Sequence, residues 1–283
     1  MARVGVITDS VHGLNAELLG QYDIRVAPMG VNVVGRGYLD MIDITPARFY
    51  EILKQMEEPG RTNAASPGAF LGIYEDLRGK TDGMIYIGIS GAMTATVNNA
   101  RLARNIFNQG HPGTEIEVID SKNCMGAQGF LVLEAARAAQ AGKNLAEITG
   151  LVRDMVPRIK YLSLIRNLKL LARTGLVPRS LGAAANLGVR PIIGVTDDSG
   201  LTRLMAQVRA SQGLEQLVDR AGKYIEPGRP VHAFFHYAED RQEAEKLCDL
   251  FTARFPCVET HFSEYTPVSL CSTGNMTGVS FYT

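Results

Sequence analysis

Three short apolar runs constrain the fold of this 283-residue chain more than any other feature. Residues 3–8 (RVGVIT) and 83–89 (GMIYIGI) read as buried strands, and residues 115–119 (EIEVI) as a third. Each ends in small polar residues, Asp9-Ser10, Ser90-Gly91 and Asp120-Ser121, and each is followed by a helical segment. Strand and helix alternating in this way argue for a parallel sheet with helices on both faces.

The helix starts are marked. Thr45-Pro46 and Ser66-Pro67 each place a capping hydroxyl before a proline, which suits the first helical position. They predict helices over residues 47–56 and 68–77. Asn15 and Asn144 stand before two further helical segments, and residues 94–108 and 125–141 complete the set. Residues 31–38, broken by Gly35 and Gly37, read as a small hairpin inserted near residues 31–45. After residue 160 the pattern changes. Residues 191–195 and 201–208 form a hairpin around Asp197-Asp198-Ser199-Gly200, followed by helices and strands in turn. The expected architecture is α/β: a Rossmann-like parallel-sheet domain over 1–160 and a mixed α+β domain over 161–283.

Composition narrows the function. Lys+Arg and Asp+Glu are both 29, so the net charge is zero, and the basic surplus of a nucleic-acid binder is absent. No run approaches the roughly 18 apolar residues of a membrane span. The start, Met1 to Val6, lacks a signal-peptide layout. Cys124, Cys248, Cys257 and Cys271 show no CxxC spacing and stand apart from the histidines. A reduced, cytoplasmic protein without a metal is the expectation.

Ligands of open α/β sheets bind beyond the carboxyl ends of the strands, where helix N-termini point. Thr62 precedes the Ser66-Pro67 helix start, and Thr94 follows the 83–89 strand. Each offers a hydroxyl beside unpaired backbone N–H groups, a setting for an anionic group. On the pattern alone, the plainer reading has the advantage: Thr94 as a helix N-cap and Thr62 as a loop residue. A nucleotide site is disfavoured, because Gly35-Arg36-Gly37 and Gly88-Ile89-Ser90-Gly91 complete neither GxGxxG nor a P-loop. Asp9, Ser10 and His12 are near neighbours, but no G-x-S-x-G elbow accompanies them. His232 and His236 alternate with apolar residues and read as polar residues at strand ends.

An ordered set of motifs then carries a resemblance. Thr8-Asp9-Ser10, Tyr38-Leu39-Asp40 to Asp43-Ile44, and Thr62-Asn63-Ala64-Ala65-Ser66-Pro67 are the first three. Ile89 to Thr96 (ISGAMTAT), Val118-Ile119-Asp120-Ser121, Val189-Arg190-Pro191-Ile192 and Thr273-Gly274 with Gly278-Val279 follow in order. Together they resemble the DegV family of bacterial fatty-acid-binding proteins. The resemblance implies a long-chain, palmitate-like fatty acid in a tunnel between two domains, with no other cofactor. It implies a carboxylate held at Thr62, Thr94 and Ser272, with Ser10, Ser90, Gly91, Ala95, Thr273 and Gly274 nearby. It also implies a carrier that presents the acid to a separate fatty acid kinase and has no reaction of its own.

The chain departs from the family pattern in two places. Ser272 stands where His is usual, and Leu176 where Arg is usual. The first leaves one hydroxyl in place of an imidazole. The second bears on kinase docking. Residues 181–188 (LGAAANLG) suit either a tunnel wall or a close-packed helix. Burial of about 16 carbons contributes on the order of 12 kcal/mol at ~0.8 per CH₂. Much of that is offset by association costs. Affinity therefore comes mainly from the acyl chain, and the hydroxyls set orientation. The alternative is a small-molecule hydrolase or transferase using Asp9, Ser10 or His12 in the same cleft.

Overall fold

A computed structural model describes residues 3–56, 60–166, 168–173 and 188–283, without the side chains of Lys169, Arg173 and Ser272. In chain order the first elements are β1 (Val4–Asp9), α1 (Ala16–Gln21), β2 (Arg25–Ala27), β3 (Gly30–Val33), β4 (Arg36–Leu39) and α2 (Pro46–Leu53). Next come β5 (Arg61–Asn63), α3 (Pro67–Leu77), β6 (Gly83–Gly88), α4 (Thr96–Gly110), β7 (Ile116–Asp120), α5 (Met125–Gln140) and α6 (Leu145–Met155). Then β8 (Lys160–Ile165), α7 (Leu168–Arg173), β9 (Val189–Val195), β10 (Arg203–Arg209) and α8 (Gly213–Ala221) follow. The remaining elements are β11 (Val231–Tyr237), α9 (Gln242–Thr252), β12 (Cys257–Glu264), α10 (Pro267–Thr273) and β13 (Met276–Tyr282).

The expected parallel sheet forms in the order β2-β1-β6-β7, with Val4 opposite Gly83 and Met84 opposite Ile116. All six residues of β1 and of β6 are buried, as their apolar runs demand. The caps sit where the sequence marks them. Ser66 accepts from the Ala69 N–H, and Asn144 closes a capping box with Glu147. A second sheet, order β10-β9-β8-β13-β11-β12, is mixed: only β11 and β12 run parallel.

Three features differ from the sequence reading. The hairpin β3–β4 gains a third strand, β5, so Thr62 lies opposite Val31 in a sheet and not in a loop. The segment after residue 265 forms α10 and β13, and β13 sits inside the mixed sheet between β8 and β11. His236, one residue from the end of β11, is more than an ordinary polar end residue. It is fully buried, with Nδ1 2.6 Å from Ser263 Oγ and Nε2 2.8 Å from Ser280 Oγ. Burial lowers its pKa to about 3, so the ring is neutral.

Helix α5 lies between the two sheets. It packs on β1 and β6 on one side and on β8, β11 and β13 on the other, and twelve of its sixteen residues are buried. The approach is close: a Cβ at Gly126 would stand 2.6 Å from the Cβ of Phe234. Phe130 fills the far side, in edge contact with Phe234 at 4.5 Å and Tyr282 at 4.9 Å between ring centres.

Candidate functional site

A cavity of about 380 Å³ opens beyond the carboxyl ends of the parallel strands, where the mixed sheet faces them. Val11 follows β1, and Ile89, Ala92, Met93 and Thr94 come from the β6–α4 loop. Cys124 and Met125 open α5, and Met29 and Thr62 come from the small sheet region. The other half contributes Tyr161, Ile193, Leu201, Thr202, Val268, Ser269, Thr273 and Met276. Among the described residues the lining holds no charged side chain. Such a wall selects an apolar ligand with a small polar end.

Thr62 and Thr94, far apart in sequence, thus share one lining. The Asn99 side chain helps join them, because its Nδ2 donates to the Ala65 carbonyl at 2.9 Å and ties α4 to the segment after β5. Thr94 is not the N-cap of α4. That position is Ala95, which makes no cap bond. The Thr94 hydroxyl instead lies 3.0 Å from that of Thr96. Thr62 is exposed and Thr94 half-buried.

Of the remaining expected residues, Thr273 lines the cavity, and its hydroxyl donates to the Ser269 carbonyl at 2.9 Å. Ser10, Ser90, Gly91, Ala95 and Gly274 are not in the lining. Ser90 Oγ accepts from the Ala92 N–H, and the Gly91 N–H donates to Asp120. Gly274 ends α10 with φ 66°. Ser272 lies in α10, but its side chain falls outside the described residues, as do Leu176 and residues 181–187.

The hairpin turn between β9 and β10 closes one side. At Gly200, φ is 66° and a Cβ would meet Ser90 Oγ at 2.3 Å, so only glycine allows the mixed sheet this approach. Met125 opens α5 with φ 56°, a left-handed value rare outside glycine and enriched at functional sites.

The sequence reading misses the methionines. Met29, Met93, Met125 and Met276 all line the cavity. Ser269 Oγ donates to Met125 Sδ at 3.1 Å, and Thr202 Oγ1 lies 3.9 Å from Met93 Sδ. Sulfur is a weak acceptor, so these hydroxyls turn to a better partner at little cost. Flexible thioethers also adapt to irregular ligands. The signal was position: Met93 and Met125 follow the ends of β6 and β7.

Asp9, Ser10 and His12 do not form a catalytic set. Asp9 is fully buried and accepts from Tyr86 OH and the Ile89 N–H, each at 2.8 Å. Burial raises its pKa. Ser10 Oγ donates to Asp40 at 2.7 Å. His12 Nδ1 accepts from the Leu14 N–H at 2.7 Å, and burial lowers its pKa to about 4. Each group is satisfied by a separate partner, and none activates another. Burial raises the thiol of Cys124 to about 12, which keeps this lining cysteine protonated near neutral pH.

The comparisons agree with this architecture. A DegV domain-containing protein of Caldanaerobacter subterraneus subsp. tengcongensis is 32% identical over 213 residues, 75% of this chain and 74% of its own. The fold matches a fatty-acid-binding DegV family protein from Thermus thermophilus with TM-score 0.87, at 23% identity over 99% of each chain. It matches a stearic-acid-binding protein from Eubacterium ventriosum with TM-score 0.88, at 20% identity over 100% of this chain and 98% of the other. The DegV family model spans residues 3–283, and by that match the chain belongs to the DegV family.

Proposed function

We propose that the protein is a carrier for a long-chain, palmitate-like fatty acid held in the cavity between the two sheets. The carboxylate is bound at Thr62, Thr94 and Ser272, with Thr273 in the same lining, while Ser10, Ser90, Gly91, Ala95 and Gly274 lie outside that lining. A parallel-sheet domain over 1–160 supplies the first two hydroxyls, and a mixed domain over 161–283 closes over the acyl chain. The protein catalyses no reaction of its own and hands the acid to a separate fatty acid kinase in the cytoplasm.

The observation that carries this reading is the lining: apolar and thioether walls, five Ser and Thr side chains, and no charge among the described residues. A nucleotide or sugar would need more polar partners than this wall supplies. The Thermus and Eubacterium ventriosum proteins share the fold and bind fatty acids. Thr62 is exposed, so a carboxyl group beside it stays reachable by a partner enzyme.

The test is direct. Purified protein is denatured, extracted with solvent and analysed by mass spectrometry, and added palmitate is titrated into delipidated protein. A saturable long-chain acid is expected. No bound lipid, together with no binding of added long-chain acids, overturns the proposal.

A further inference from the structure

One buried carboxylate ties together several segments around the cavity without lining it. Asp40 follows β4 and is 1% exposed. Its Oδ2 accepts from Ser10 Oγ at 2.7 Å, and its Oδ1 accepts from the Val268 N–H at 3.3 Å. Its own N–H donates to the Met29 carbonyl at 2.9 Å, and the Met29 N–H donates to Ser10 Oγ at 3.2 Å. The end of β1 and the first turn of α10 therefore meet at this side chain, and the segment between β2 and β3 is tied to the Asp40 main chain and to Ser10.

The bond to α10 replaces a missing cap. Thr266, the N-cap of α10, makes no side-chain cap bond, and Asp40 takes up the Val268 N–H in its place. Helix α10 also packs on α2, α7, β3 and β5, so its docking does not depend on Asp40 alone. The carboxylate adds a fixed starting point. From that point α10 places Val268, Ser269 and Thr273 in the cavity wall that Thr62 and Thr94 also line. A parallel arrangement holds that loop, because Asp9, the neighbour of Ser10, accepts from the Ile89 N–H at 2.8 Å.

We infer that Asp40 is a positioning residue for the polar end of the cavity: it sets the hydroxyls of α10 against those of Thr62 and Thr94. The inference rests on the fatty-acid reading and deepens it. It concerns which headgroup is accepted, and the acyl chain is left to the apolar wall. A carboxylate accepts at both oxygens at once, whereas an amide accepts at one and donates at the other. Asp40→Asn therefore keeps one accepting atom for three donors, the Ser10 and Thr266 hydroxyls and the Val268 N–H, and Asp40→Ala accepts from none.

The test measures the affinities of delipidated parent, Asp40→Asn and Asp40→Ala for palmitate and for 1-hexadecanol, with thermal melting alongside. The two ligands share a chain and differ in the headgroup. The parent prefers palmitate. In Asp40→Ala the preference falls about tenfold, the size of one lost hydrogen-bond arrangement. The hexadecanol affinity stays within about threefold, since apolar burial sets it. Asp40→Asn, nearly isosteric, loses about threefold in preference and keeps the test decisive if Asp40→Ala does not fold. A purely structural role would lower the melting temperature and leave the preference unchanged, and that result overturns the inference. A parent that binds neither ligand overturns the fatty-acid reading instead.

Discussion

Replacement of His236 by Gln should change how stability depends on pH. In the native protein both ring nitrogens are engaged by buried serines, and burial lowers the pKa from 6.5 to about 3. In the unfolded chain the ring titrates normally. As pH falls below 6.5 the unfolded chain takes up a proton that the folded chain refuses. The stability linked to His236 is thus complete above pH 6.5 and is lost as pH falls toward 3. Each pKa unit of separation is worth about 1.4 kcal/mol, so the loss between pH 7.5 and 4.5 is about 2.5 kcal/mol. His12 also loses stability on acidification, while Asp40, raised by burial to about 6, regains some in the same window. Both titrate in parent and variant alike, so the difference between the two proteins isolates His236. The assay is urea denaturation of each protein at pH 7.5 and 4.5. At pH 7.5 His236→Gln is less stable by about 1–3 kcal/mol, because Ser263 and Ser280 lose well-placed partners. At pH 4.5 the gap closes or reverses. Equal losses in both proteins on acidification would show that His236 is not held neutral, and the reasoning would fail.

Thr94→Val keeps the shape of the side chain and removes its hydroxyl, so palmitate affinity falls about three- to tenfold by isothermal titration; equal affinity would make Thr94 a structural residue only. Ser272→His restores the side chain usual in the family and tightens palmitate binding if an imidazole contacts the headgroup; unchanged or weaker binding counts against that contact. Gly126→Ala forces a Cβ against Phe234 and costs about 1–3 kcal/mol in chemical denaturation. A neutral result would mean that α5 and β11 separate easily.

The parallel sheet was legible because its central strands, β1 and β6, are buried on both faces and so read as nearly unbroken apolar runs. Strand β13 was not. Its residues, MTGVSFY, include Gly278 and Ser280, which carry no strand signal, yet all seven are buried. The reason is tertiary: a Cβ at position 278 would stand 2.5 Å from Tyr265 OH, so the packing asks for glycine there. Thr62 was legible as a polar residue before a helix, but its pairing with Val31 depends on a register that three residues cannot specify. Helix α5 was legible as a helix. Its place between two sheets was recorded only in the lack of a polar face. The methionines of the cavity were hidden because a thioether at a strand end looks the same as one in a core.

The position of α5 has a consequence for the growing chain. The ribosome delivers α5 well before the strands that cover its far side. Until then Phe130, which ends between Phe234 and Tyr282, has no cover on that side. The cover cannot close early, because β13 lies between β8 and β11 and is made after every other described strand of its sheet. A nascent chain halted between residues 160 and 270 would therefore display an apolar helix face, a natural target for a chaperone.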